Sequence, residues 1–214
     1  MKFNRTHLRV MSALTLALLF GLSTFAGSSR AQQQTSDMPY DLHFIDMMIM
    51  HHQEGIEMAQ MAQTKAVGAK VKAFATKTAT DQQKDIEELQ AHRNHWYAGK
   101  PPMDKAMMDS MMQTMHPGMH MDMEDTRRKL MATEGAAFDR LFLDTMIHHH
   151  QMAIGMAKDA TTKGEHAEIK DFARKAVVKQ NIEIAEMNRL KGGSTTKKKP
   201  APKPKPKTTH KHGH

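Results

Sequence analysis

Residues 48–59 read MIMHHQEGIEMA, and residues 146–157 read MIHHHQMAIGMA. The second stretch lies 98 residues after the first and repeats its Met-Ile, His-His-Gln, Ile and Met-Ala. At that offset the chain aligns with itself without a gap over residues 41–89. Identity is 11 of 19 positions over 41–59 and 7 of 19 over 71–89, so the match is densest around the histidines. A duplication follows, and whatever one copy folds into the other should fold into as well.

Each copy reads as a helical hairpin. The first helix is expected from about Pro39 to Lys65, with Asp37 and the proline as its starting signals. Gly68 marks the break, and a second helix runs to about Tyr97, where AGKPP stops it. The second copy should place a helix over about Thr133 to Thr162, a break at Gly164, and a helix ending at Leu190 before Gly192-Gly193. Val71, Phe74, Ile86 and Leu89 keep helical spacing, and β-branched runs are absent. Two such hairpins predict an all-α, ferritin-like four-helix bundle. The expected organisation is a signal peptide (1–31), a first hairpin (32–99), a Met-rich linker (100–130), a second hairpin (131–191) and a disordered Lys/Pro/His tail (192–214).

The ends account for the charge. Lys2, Arg5 and Arg9 precede a mostly apolar run from Val10 to Leu22, too short to span a bilayer comfortably, with cleavage points after Ala26 or Ala31; this reads as a cleaved secretory signal, with an uncleaved membrane anchor as the alternative. Residues 1–31 hold four basic and no acidic residues, and residues 191–214 hold eight lysines and no acidic residue. The net charge of +8 therefore leaves −4 on residues 32–190, which argues against a basic nucleic-acid-binding fold. The leader implies a periplasmic or secreted mature chain with no membrane span after cleavage. There is no cysteine, so neither a disulfide nor a cysteine-linked lipid is available, and stability must come from a packed core.

On a helix, neighbouring residues point about 100° apart while i+3, i+4 and i+7 share a face. His52 sits in the stripe Ile45, Ile49, His52, Ile56, Ala59, and His150 in Leu143, Ile147, His150, Ile154, Ala157. Both should face the core and need polar partners there; Gln82, Glu88, Gln180 and Glu186 are the recurring candidates. The other face reads Met48, His51, Gly55, Met58, and in the second copy Met146, His149, Ala153, Met156. An imidazole between two thioethers, beside a small residue, offers soft ligands of the kind that select Cu(I) or Ag(I). The bland alternative is that the methionines fill core and the histidines are structural. His148 departs from the repeat, since Met50 is its counterpart, but exchanges one ligand type for another. Asp46 and Asp144, five residues before His51 and His149, are expected to orient an imidazole on a neighbouring helix or to mark a polar face.

The linker carries the sharpest chemical signal. Residues 103–123 read MDKAMMDSMMQTMHPGMHMDM, nine methionines in 21 residues, and 101–123 contain no Leu, Ile or Val. Residues 103–115 should form a short helix with Met108, Met111, Met112 and Met115 on one face. After the Pro117-Gly118 turn come Met119, Met121 and Met123, with His116 and His120 among the sulfurs. A segment that merely packs has no reason to use methionine as its only large apolar residue, although a flexible partner-binding surface is the competing reading. The closing His210, His212 and His214 are compositional evidence for Cu(II), Ni(II) or Zn(II) capture, and no more.

The doubled F-[IL]-D-x-M-I-x-H-H-Q-x-x-I-x-M-A resembles the exported ferritin-like domain-of-unknown-function family that includes the CopM copper-binding proteins. The resemblance covers about residues 37–97 and 134–190. It implies a four-helix bundle, periplasmic copper binding and a part in copper tolerance, with Met48, His51, His52, Met146, His149 and His150 at the metal.

The expected function is therefore a periplasmic protein that sequesters or transfers copper, with Cu(I) favoured and Ag(I) or Cu(II) as further candidates. Its partners would be metal ions and a periplasmic copper donor or acceptor protein. No catalysis is expected. A ferritin-like metal oxidase is the enzymatic alternative, but the chain contains no Glu-x-x-His, and neither cysteine nor Gly-x-Ser-x-Gly for a hydrolase. A Met-rich interaction module without metal is the third reading.

Overall fold

The structure, a computed structural model, describes residues 38–115 and 122–193. The expected signal (1–31), the tail beyond residue 193, and His116, Met119, His120 and Met121 lie outside the described residues. Among the described residues six helices follow one another: α1 Tyr40–Lys65, α2 Ala69–Trp96, α3 Lys105–Met115, α4 Met123–Ala132, α5 Gly135–Lys163 and α6 Ala167–Gly193. Among the described residues there is no strand. Helices α1, α2, α5 and α6 form the four-helix bundle, and none is long and apolar enough to cross a membrane.

The hairpins lock each other through a repeated aspartate. Asp139, near the start of α5, accepts hydrogen bonds from the amides of Val67 (3.0 Å) and Gly68 (2.8 Å), just ahead of α2. Asp41, its counterpart at the start of α1, accepts from the amides of Glu165 (2.9 Å) and His166 (2.8 Å), ahead of α6. Each hairpin's first helix thus satisfies orphan N–H groups at the head of the other's second helix. A Cβ at Gly68 would lie 2.9 Å from Asp139 Oδ2, so glycine permits this approach. The exchange sets α1 and α5 antiparallel. Within each hairpin an ion pair joins the two helices at matching positions, Arg93 with Asp46 and Lys191 with Asp144.

Some boundaries differ from expectation. Helix α5 begins at Gly135, whose φ of 64° separates it from α4, rather than at Thr133. Helix α6 continues through Gly192 to Gly193 instead of ending at Leu190. Helix α4 was not anticipated at all. It is capped by Asp122, which accepts from the Asp125 amide at 2.9 Å, and is anchored by fully buried Leu130. One buried residue in ten leaves little periodicity to read.

The core is interrupted by polarity. Phe138, Phe142, Leu143 and Met146 of α5 pack with Met58, Ala59 and Ala62 of α1, Phe74 of α2, Leu130 of α4 and Met187 of α6. Each large apolar side chain so buried stabilises by about 1.5–3 kcal/mol. Phe44 and Phe172 meet edge-on at 6.2 Å nearer the other end. Between these zones α1 and α5 carry His51, His52, His149 and His150, all buried.

Candidate metal centre

The two hairpins bring their histidine pairs face to face where α1 crosses α5. The rings of His51 and His149 stack with centroids 3.6 Å apart and planes 25° from parallel. His52 lies 6.2 Å from His51, and His150 lies 6.3 Å from His149, centroid to centroid. His51 is 3% exposed and the other three are fully buried.

His52 and His150 are oriented identically. His52 Nε2 meets Asp85 Oδ2 at 3.2 Å, and His150 Nε2 meets Glu183 Oε2 at 2.8 Å. Asp85 and Glu183 are themselves counterparts at the 98-residue offset, each 33 residues after its histidine. Lysines of the opposite hairpin reach both carboxylates: Lys179 lies 2.7 Å from Asp85, and Lys77 lies 3.6 Å from Glu183. Burial pushes Asp85 up, but the hydrogen bonds from His52 and Lys179 outweigh it and hold the carboxyl below its usual range. A carboxylate accepts, so Nε2 of His52 carries the proton and Nδ1 is left with its lone pair.

Those lone pairs have no partner. Nδ1 of His52, Nδ1 of His150, and both ring nitrogens of His51 and of His149 are buried without a hydrogen bond. So is the side-chain oxygen of Gln82 and of its counterpart Gln180. An unsatisfied buried polar group costs roughly 1–3 kcal/mol, and such groups are rare in ordinary cores. Burial holds His51 and His149 well below the usual histidine range, and the surrounding imidazoles press in the same direction. Burial lowers His52 as well, against the pull of Asp85. His51, His52 and His149 are thereby held as neutral imidazoles, the state in which imidazole binds a metal, and the layer presents unpaired ring nitrogens.

Gly55 makes room beside the stack. A Cβ there would lie 2.3 Å from Gln82 Oε1 and 2.9 Å from His149 Cε1. Met48 and Met146, three residues before His51 and His149, are fully buried, and Met58 and Met156 are 1% and 5% exposed. Met58 and Met146 also belong to the apolar cluster, so these thioethers fill core as well as flank the histidines. Among the described residues no three His, Cys, Asp or Glu side chains converge on one point.

The expected residues divide accordingly. The layer gathers His51, His52, His149 and His150. His148 is half-buried, as is its counterpart Met50. Met111 and Met123 are half-buried, on α3 and at the first turn of α4. Met108, Met112 and Met115 lie in α3, but their side chains are outside the described set. Two expectations are corrected. The partners of His52 and His150 are Asp85 and Glu183, not Gln82, Glu88, Gln180 or Glu186. Asp46 orients no imidazole: it accepts from Arg93 at 2.5 Å and from the Met103 amide at 3.0 Å, and Asp144 pairs with Lys191. The signal for Asp85 and Glu183 was present as a repeated carboxylate, hidden because the two are not identical residues.

Residues 41–191 match the family model for a domain of unknown function, DUF305. The chain belongs to this family. A DUF305 fragment from Deinococcus radiodurans superposes with a TM-score of 0.63 at 25% identity, over 73% of this chain and 97% of that one. A DUF305 protein from Streptomyces coelicolor classed as secreted matches with a TM-score of 0.61 at 25% identity, over 71% and 91%. CopM in its Cu(I)-bound form matches with a TM-score of 0.58 at 29% identity, over 72% and 97%. The Cu(II)-bound and Ag-bound forms of CopM match with TM-scores of 0.58 and 0.57. No curated protein matches the chain.

Proposed function

We propose that this DUF305 protein binds copper as cargo, preferring Cu(I) and accepting Ag(I) by the same chemistry, and that the histidine layer is its principal site. One observation carries the reading. His52 gives Nε2 to half-buried Asp85 and His150 gives Nε2 to buried Glu183, each keeping Nδ1 unpaired, beside two further imidazoles whose nitrogens are all unpaired. A carboxylate behind an imidazole fixes its tautomer and raises its basicity, as in protein metal sites generally. Imidazole nitrogen, completed by the thioethers of Met48 and Met146, makes a soft donor set suited to Cu(I). The likeness to Cu(I)-, Cu(II)- and Ag-bound CopM supports the choice of ion.

The chemistry needed is ligand exchange, so the protein sequesters or hands on metal and carries out no reaction. The basic start and short apolar run of residues 1–31, together with a Streptomyces relative described as secreted, support export. Anaerobic competition of the mature chain against a graded series of Cu(I) chelators tests the proposal. Tight binding that falls sharply in H51L/H149L is expected. Equal competition by both chains would contradict the assignment to this layer.

A further inference from the structure

Between α1, α3 and α4 the surface holds a cleft of about 270 Å³. Its apolar lining consists of Met50, Met58, Met61 and Met123, with no Leu, Ile, Val or aromatic side chain. Met50, Met58 and Met61 follow one another at i, i+8 and i+11, a single face of α1. Met123 closes the cleft from the first turn of α4, a turn fixed by the Asp122 cap. Met50, Met61 and Met123 are half-buried, whereas Met58, 1% exposed, forms the floor.

The duplication does not account for this grouping. At the 98-residue offset Met50 and Met61 become His148 and Asp159, and α3 and α4 have no counterpart. Nor does packing account for it, since a pocket that only needs filling is filled better by leucine or isoleucine, whose rotamers are well defined. The cations at the rim are turned to carboxylates: Lys105 reaches Asp109 at 2.9 Å, and Arg127 reaches Glu124 at 3.0 Å. Glu54 and Glu57 also line the opening, so no net positive field repels an approaching cation.

We infer that this cleft is a second, all-thioether site that captures a soft monovalent ion, Cu(I) or Ag(I), at the surface, with Met50, Met61 and Met123 as ligands over the floor formed by Met58. Thioethers bind such ions without losing a proton. Met58 lies seven residues from His51 on the stripe that also holds Gly55, so the cleft opens at one end of the helix face that leads to the histidine layer. The inference rests on the copper reading for the kind of ion, not for the existence of the site.

The test uses the full mature chain and Ag(I), an air-stable probe for the same ligand chemistry. In M50L/M61L/M123L, leucine keeps the volume and removes the sulfur. This variant should bind one equivalent fewer than the unsubstituted chain by native mass spectrometry, with unchanged helicity. In the unsubstituted chain labelled with 13C-methyl methionine, the methyl resonances of Met50, Met61 and Met123 should shift on Ag(I) addition. They should shift equally in H51L/H149L, where loss of the layer leaves the cleft intact. Unchanged stoichiometry in the leucine variant, or methyl resonances that move only when the histidines are present, would overturn the inference while leaving the histidine layer standing.

Discussion

His51 and His149 stack at 3.6 Å although 98 residues separate them, and they occupy the same position in the two copies of one repeat. The contact joins a residue to its own duplicate across the α1–α5 crossing. Two neutral imidazoles pressed together with no hydrogen bond to either are poor structural elements and good ligands.

The metal-free protein should therefore be more stable without them. Replacing buried, unsatisfied imidazoles with leucine of similar volume removes a cost of roughly 1–3 kcal/mol. H51L/H149L should melt several degrees higher than the unsubstituted apo chain by calorimetry, and gain less from added Cu(I) than the unsubstituted chain does. A lower apo Tm would mean that the stack is a structural contact.

Acid should unfold the apo protein through the same rings. Burial sets their folded-state pKa below the unfolded value, so the unfolded chain takes up protons first as pH falls. Stability is fully present above the unfolded value of about 6.5 and is lost below it, at up to about 1.4 kcal/mol per pH unit for each ring. Urea midpoints should hold steady from pH 8 to 7 and then drop towards pH 5. H51L/H149L should flatten that drop.

The clearance at Gly55 should be needed. G55A brings a Cβ to 2.3 Å from Gln82 Oε1 and 2.9 Å from His149 Cε1. Overpacking of this kind costs about 1–3 kcal/mol, against a helix-propensity gain of about 1 kcal/mol. Net destabilisation and weaker Cu(I) binding are expected, both partly restored in G55A/Q82A. Denaturant titration and chelator competition on the three chains check this.

The carboxylates behind the outer histidines should matter more than their surface neighbours. E183L leaves His150 Nε2 without its 2.8 Å partner inside the bundle. Leaving a buried N–H without its acceptor typically costs about 1–3 kcal/mol. E186L, on a half-buried position of the same helix, should stay within about 0.5 kcal/mol by urea unfolding.

The bundle was legible because the repeat states its helices twice and because Gly68 and Gly164 sit at the turns. The histidine faces were legible too, since 3.6-residue periodicity separates His51 from His52 without knowledge of any partner. What contacts what across helices was not. Asp41 and Asp139 are identical in the two copies, yet nothing local says that each caps the other hairpin, 71 to 125 residues away. Asp85 and Glu183 escaped for the same reason. Helix α4 escaped because the methionines before it drew the reading away from a cap and one leucine.

The most direct test is a crystal of the mature protein loaded with Ag(I), with anomalous difference density used to locate the ions. A peak is expected within bonding distance of a nitrogen of His51 or His149, with those rings turned out of their stack and His52 and His150 still held by Asp85 and Glu183. Silver bound elsewhere at full occupancy, with the 3.6 Å stack undisturbed, would contradict it.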